Sequence, residues 1–139
     1  IETLDNKTLQ RISGQSILLF KPPFGVSTPW AYGQMAARPE TYLPSDQAES
    51  RWNQWQKGES TDLSDLGYNS MESVVFGKYP AIPALFRLIR EKFGLLPLMS
   101  GSGSASFVFL EKDTPVDEVT ALIQEMWGDA SFVTIAGLA

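Results

Sequence analysis

The 139 residues include no cysteine and no histidine. Without cysteine there is no disulfide framework and no thiol chemistry. Without histidine the commonest general base and the commonest transition-metal ligand are gone. No Ser-His or Cys-His nucleophile pair can form. Positive charge is scarce: 11 Lys and Arg face 16 Asp and Glu, a formal net charge of -5. That balance argues against nucleic acid or an acidic membrane as the main partner, because neither would gain by counterion release. The longest apolar runs fall far short of a membrane span. The opening residues, IETLDNKT, do not form a signal peptide. They also lack an initial Met, so the chain is expected to be processed or cut from something larger.

What remains suits one domain of ordinary size. The composition is 43% hydrophobic and 19% charged, which supports a packed core and not a disordered chain. There is no internal repeat and no true low-complexity tract.

Ser16 to Lys21 (SILLFK) is a short apolar run between Gly14 and the Pro22-Pro23 pair, and reads as a buried strand. Ser27-Thr28-Pro29 reads as a helix start: a hydroxyl residue caps, and Pro fits the first turn. That helix runs to about Ala37 and stops before Pro39. Arg38 to Pro44 is a loop. Asp46 to Lys57 is helical in pattern, with Gly58 as its stop and Trp52 and Trp55 three residues apart. Ser60 to Gly67 is a polar linker, and Tyr68 to Phe76 resumes helical spacing.

Pro80 to Phe93 is the clearest helix. Ile82, Leu85, Phe86, Ile89 and Phe93 form one apolar stripe, and Arg90 and Lys92 oppose the dipole in the last turn before Gly94. Leu95 to Met99 and Ser106 to Glu111 are strands joined through SGSGS. Thr114-Pro115-Val116-Asp117 predicts a second capped start, with Val116, Val119, Leu122, Ile123 and Met126 facing inward and Gly128 closing. Ser131 to Ile135 alternates as a last strand. The order is βαββαβ with extra helices in the first crossover. It predicts an α+β fold, a ferredoxin-like α/β sandwich with helices on one face of a mostly antiparallel sheet.

Two stretches invite a functional reading. SGSGS is either a hairpin loop whose glycines permit positive φ, or a nest of N–H groups and hydroxyls facing an anion. It does not match the P-loop, which needs a Lys after the second glycine and a following helix. KPPFGVSTPWAY, Lys21 to Tyr32, is either strand, turn and capped helix with Trp30 and Tyr32 as packing residues, or the rim of a cleft. A rim would offer N–H donors and an aromatic face for a nucleobase. The Trp52/Trp55 pair reads as local packing. Asp62, Asp65 and Glu72 read as solvated carboxylates, and the Asp62/Asp65 spacing supplies too few oxygens for a metal.

The order K-P-P-x-G-V-S-T-P-x-x-Y, then Y-N-S-M-E, then a helix, then M-S-G-S-G-S-A-x-F resembles the C-terminal half of the 4-diphosphocytidyl-2-C-methyl-D-erythritol kinases. These belong to the GHMP kinase superfamily. The resemblance covers almost the whole chain, and Ile1-Glu2 looks like the segment just past the family's N-terminal lobe. It implies a kinase that transfers the γ-phosphate of ATP to a hydroxyl of a cytidine-containing substrate in the methylerythritol phosphate route to isoprenoids. It implies that Thr28 and Pro29 sit at the substrate rim and that Tyr32 stacks on the cytosine. It implies that Gly101, Ser102, Gly103 and Ser104 form a glycine-rich loop supporting the phosphate end. Asn69 and Glu72 match the family's N-D-x-E element, read as structural or cleft-adjacent; Ser70 stands where the family usually has Asp.

The family's ATP loop, of P-x-x-x-G-L-G-S-S type, is not found here, nor is its Lys and Asp pair. Phosphoryl transfer needs a phosphate cradle and a positioned nucleophile. The expectation is therefore a substrate-side lobe that is inactive alone. ATP and Mg2+ belong to the full-length parent, the missing N-terminal lobe is the partner, and the compartment is the cytoplasm (bacterial, or the plastid in a plant). The alternatives are a stand-alone ferredoxin-like ligand-binding or interaction domain, or the C-terminal lobe of another GHMP kinase, for homoserine or mevalonate. The aromatic after Thr28-Pro29 argues against the last.

Overall fold

Leu18 and Phe20 alternate with Ile17 and Leu19 along SILLFK, and only the first pair is fully buried. This is β1, Ser16–Lys21. The structure, a computed structural model, describes residue 10 and residues 12–58 and 66–138. Asp62, Asp65, Ile1 and Glu2 lie outside the described residues, as does most of the Ser60 to Gly67 linker.

Five α-helices and three more strands follow among the described residues. They are α1 (Thr28–Ala36), α2 (Ser45–Gln56), α3 (Glu72–Lys78), α4 (Ala81–Phe93), β2 (Leu98–Met99), β3 (Ser106–Leu110), α5 (Val116–Trp127) and β4 (Phe132–Gly137). A 3-10 turn, Pro39–Thr41, separates α1 from α2. The strands form one sheet in the order β2-β3-β1-β4, and every pairing is antiparallel. That is the ferredoxin-like arrangement, with the additional helices between β1 and β2 as the element order predicts.

One face of the sheet carries the core. Leu18, Phe20 and Val108 meet Ile82, Leu85, Phe86 and Ile89 of α4 and Val119, Leu122, Ile123 and Trp127 of α5. Each such fully buried side chain is worth roughly 1.5–3 kcal/mol over an exposed one. Phe20 packs against both Phe86 and Trp127, with ring centroids 6.4 and 5.7 Å apart. Ile17, Leu19, Phe107 and Phe109 occupy the opposite face and are half-buried.

Several expectations are corrected. Strand β2 is only Leu98–Met99, not Leu95 to Met99, because Pro97 has no N–H to donate to a ladder. Tyr68 to Met71 is not helical. Asn69 Oδ1 accepts from its neighbour's amide at Met71 (2.9 Å), a local turn that competes with helix, and α3 starts only at Glu72. Thr114 does not cap α5. Its hydroxyl accepts from Glu111 N at 2.9 Å, closing the turn before the helix instead. Met126 is 40% exposed, and Trp127 takes the inward place, donating from Nε1 to Ala81 O at 3.1 Å. Trp52 and Trp55 do pack locally, stacked with centroids 5.6 Å apart.

Candidate functional site

The two motifs singled out from sequence meet at one end of the sheet. Lys21 ends β1 and Ser106 begins β3, and Phe20 pairs with Ser106. The chain leaving β1 passes buried Pro22, then Phe24 and Val26, and reaches Ser27, which caps α1. The glycine-rich turn lies against this segment. Ser104 donates its hydroxyl to Phe24 O. Thr28 Oγ1 and Ser102 Oγ share a hydrogen bond of 2.8 Å at the surface.

The turn is held by its own groups. Ser100 N donates to Ala105 O at 2.8 Å, and Gly103 N donates to Ser100 O at 3.0 Å. Ser106 Oγ, fully buried, donates to Ser104 O at 3.2 Å. Gly103 has φ +81, and a Cβ there would stand 2.6 Å from Met99 Sδ, so the position needs glycine for space as well as for conformation. SGSGS is thus a hairpin turn that also touches the second motif. The hydroxyls of Ser102 and Ser104 and the amides of Ser100 and Gly103 are engaged inside the protein. They do not form, by themselves, a convergent set of donors for a nucleotide phosphate.

The cap of α1 is likewise partly used. Ser27 Oγ accepts from Trp30 N at 3.4 Å, and Pro29 brings no N–H. Trp30 is a packing residue: it meets Tyr79 edge-on, Tyr79 stacks on Phe24 at 5.7 Å, and Lys78 Nζ lies 4.1 Å from the Trp30 ring centroid. Tyr32 differs. The residue is 57% exposed, and it stands one helical turn after Thr28, hence on the same side of α1 as the Thr28–Ser102 contact. Thr28 and Pro29 are exposed beside it.

The Y-N-S-M-E element lies behind the turn. Asn69 Nδ2 donates to Met99 O and to Gly101 O, both at 2.7 Å. Glu72 Oε1 accepts from Met99 N at 2.8 Å. Ser70, in the place of the family's Asp, accepts from Leu43 N at 3.2 Å and faces away from this task. Burial pushes the Glu72 carboxyl above its ordinary value; the Met99 amide and the Arg90 charge pull the other way without overcoming it. Asn69 and Glu72 border an open pocket of about 490 Å³ with Arg51, Trp55, Tyr68 and Arg90. The sequence reads Asn69 and Glu72 as structural or cleft-adjacent and Glu72 as solvated; the Glu72 carboxyl is instead half-buried on Met99 N, and both side chains hold the turn. Their partners are 27 to 32 residues away, and no local pattern announces such a bond.

Among the described residues no group of three or more acidic side chains is placed to hold a metal ion, and no helix is long and apolar enough to cross a membrane.

No family model matches the chain. A 4-diphosphocytidyl-2-C-methyl-D-erythritol kinase of Methylacidiphilum infernorum is 37% identical over 101 residues, which are 70% of this chain and 30% of that protein. The enzyme of the same name from Thermodesulfovibrio yellowstonii is 29% identical over 125 residues, 87% of this chain and 43% of that protein. A crystal structure of 4-(cytidine 5'-diphospho)-2C-methyl-D-erythritol kinase superposes with a TM-score of 0.61 at 30% identity, covering 89% of this chain and 43% of that one. The chain is therefore similar to one part of this kinase and spans less than half the length of these relatives.

Proposed function

We propose that the chain is the C-terminal, substrate-side domain of a kinase that phosphorylates a cytidine diphosphate-linked alcohol with ATP, and that it does not turn over alone. The observation that carries this reading is the hydrogen bond between Thr28 and Ser102, which joins the two motifs into one exposed surface with Tyr32 beside it. In this reading the Tyr32 ring stacks on the cytosine, an interaction that any π-face of a base can make. Thr28 and Pro29 shape the rim. Gly101, Ser102, Gly103 and Ser104 support the phosphate end of the substrate from below.

ATP and Mg2+ are assigned to the two-lobed parent, where they supply the transferred group and neutralise its charge. The Ser102 and Ser104 hydroxyls and the Ser100 and Gly103 amides are engaged within this domain, and no step of transfer is routed through the turn. The test is an assay of two proteins. A chain carrying the adjoining N-terminal sequence is expected to phosphorylate 4-diphosphocytidyl-2-C-methyl-D-erythritol with ATP, and the purified 139-residue chain is expected not to. Turnover by the 139-residue chain would overturn the division of labour. Failure of the longer chain on this substrate would overturn the assignment.

A further inference from the structure

Asn69 spends its whole side-chain amide on backbone. Its two N–H bonds reach Met99 O and Gly101 O at 2.7 Å each, and its oxygen accepts from Met71 N at 2.9 Å. The orientation is fixed by chemistry, because the flipped amide would turn its oxygen toward two carbonyls. Glu72 takes Met99 N at 2.8 Å. Met99, the residue before the turn, is thus gripped at both its amide and its carbonyl, and Gly101 is held inside the turn. The far side of the same turn is held by Ser104 on Phe24 O and by Ser102 on Thr28.

A turn of two glycines and three serines has much backbone freedom to lose. Its internal bonds are few, chiefly Ser100 N to Ala105 O and Gly103 N to Ser100 O. Something outside it must select one shape. We propose that Asn69 and Glu72 are positioning residues that clip the glycine-rich turn into the shape in which Ser102 meets Thr28. This deepens the proposed function and rests on it for the turn's relevance to substrate, but the clip itself is testable without any substrate.

The first measurement is amide hydrogen exchange on the 139-residue chain. In Asn69→Ala the Ser100 and Gly103 amides should exchange about tenfold faster, the scale of losing one ordinary hydrogen bond or somewhat more. The Leu18 and Ile89 amides in the core should keep their protection. Should Asn69→Ala unfold the domain, Glu72→Ala and Glu72→Gln carry the test. The Ala variant should loosen the same two amides, and the Gln variant, which still offers an oxygen to Met99 N, should restore them. Unchanged exchange at Ser100 and Gly103 in a folded Asn69→Ala or Glu72→Ala protein overturns the clip.

The second measurement uses the two-lobed kinase, where Asn69→Ala should lower kcat about tenfold with a smaller change in the KM for ATP. Loosened amides with unchanged kcat would leave the clip standing and overturn the support proposed for the turn at the phosphate end of the substrate.

Discussion

Thr28 Oγ1 and Ser102 Oγ lie 2.8 Å apart across 74 residues of sequence, and theirs is the direct side-chain bond between the helix that follows β1 and the turn that precedes β3. Both hydroxyls are at the surface, where water competes for each. The bond is therefore a mark of close fit more than a source of stability. A double-mutant cycle with Thr28→Val and Ser102→Ala should return a coupling of about 0.5 kcal/mol in urea unfolding, the low end for a neutral hydrogen bond. Strictly additive single variants would mean that the contact adds nothing.

The two glycines of the turn should not be equivalent. Gly101 has φ +56 and open space around a would-be Cβ, so Gly101→Ala should cost about 1–2 kcal/mol from backbone strain alone. Gly103→Ala meets the same backbone penalty and also drives a methyl toward Met99 Sδ, 2.6 Å away in a buried position. Overpacking of that kind adds about 1–3 kcal/mol. Thermal or urea unfolding of the two variants should rank them in that order. Equal costs would show that Met99 swings aside freely.

Glu72 predicts a pH signature. Its folded pKa is raised above the ordinary value of 4.5, with burial the main cause. The folded state therefore holds its proton more tightly than the unfolded chain. The stability this brings is complete below pH 4.5 and is lost as pH climbs through the folded value. Glu72→Gln removes that loss while keeping an acceptor for Met99 N. The variant and the native chain should differ least at low pH, and the variant should gain as pH rises from 4.5 through the folded value and hold that gain above it. Urea midpoints between pH 4 and 8 measure the difference, in which carboxylates common to both proteins cancel. A gap that stays constant across that range would assign Glu72 an ordinary titration.

Tyr32 offers a cleaner separation of fold from ligand. At 57% exposure its ring contributes little to the core, so Tyr32→Ala should change unfolding stability by no more than about 0.5 kcal/mol. Affinity for a cytidine diphosphate ligand should fall by about 1–3 kcal/mol, the range of one base–aromatic stack. Urea unfolding of the 139-residue chain reads the first expectation, and calorimetric titration of the two-lobed kinase with the ligand reads the second. Undiminished affinity would remove Tyr32 from the substrate site.

The strands and helices with a strong period of their own were legible in the sequence. SILLFK, the stripe of Ile82 to Phe93, and the Ser27 cap all stand where their local chemistry puts them. The errors fell where two local rules compete. Thr114 had the look of a cap, but its hydroxyl found Glu111 N first. Leu95 and Leu96 had strand composition, but Pro97 kept the ladder from reaching them. Met126 had the inner face of α5 by its spacing, but Trp127 takes that place, where its indole N–H has Ala81 O to bond. The candidate site was legible in its outline, because KPPFGVSTPWAY and SGSGS each carry a distinctive composition. The clip was not, since an Asn followed by a Ser and a Met says nothing of a carbonyl 30 residues on.

The antiparallel register of β1 and β3 acts as a ruler for the surface built at their end. Phe20 opposite Ser106 sets how far the Lys21 exit and the Ser104–Ala105 approach reach toward each other. Sliding one strand by a single residue would displace the turn by about 3.3 Å and send Leu18 and Phe20 to the wrong face. The spacing between Thr28 and Ser102 is thus counted in whole residues by the sheet and not adjusted by the loops. Chain length is therefore rigidly set on the stretches Ser16 to Thr28 and Ser102 to Leu110. The connection from Arg38 to Pro44 enters no strand, so the sheet does not count its residues; what limits it is the half-buried Thr41 and Leu43 and the Leu43 N–Ser70 Oγ bond.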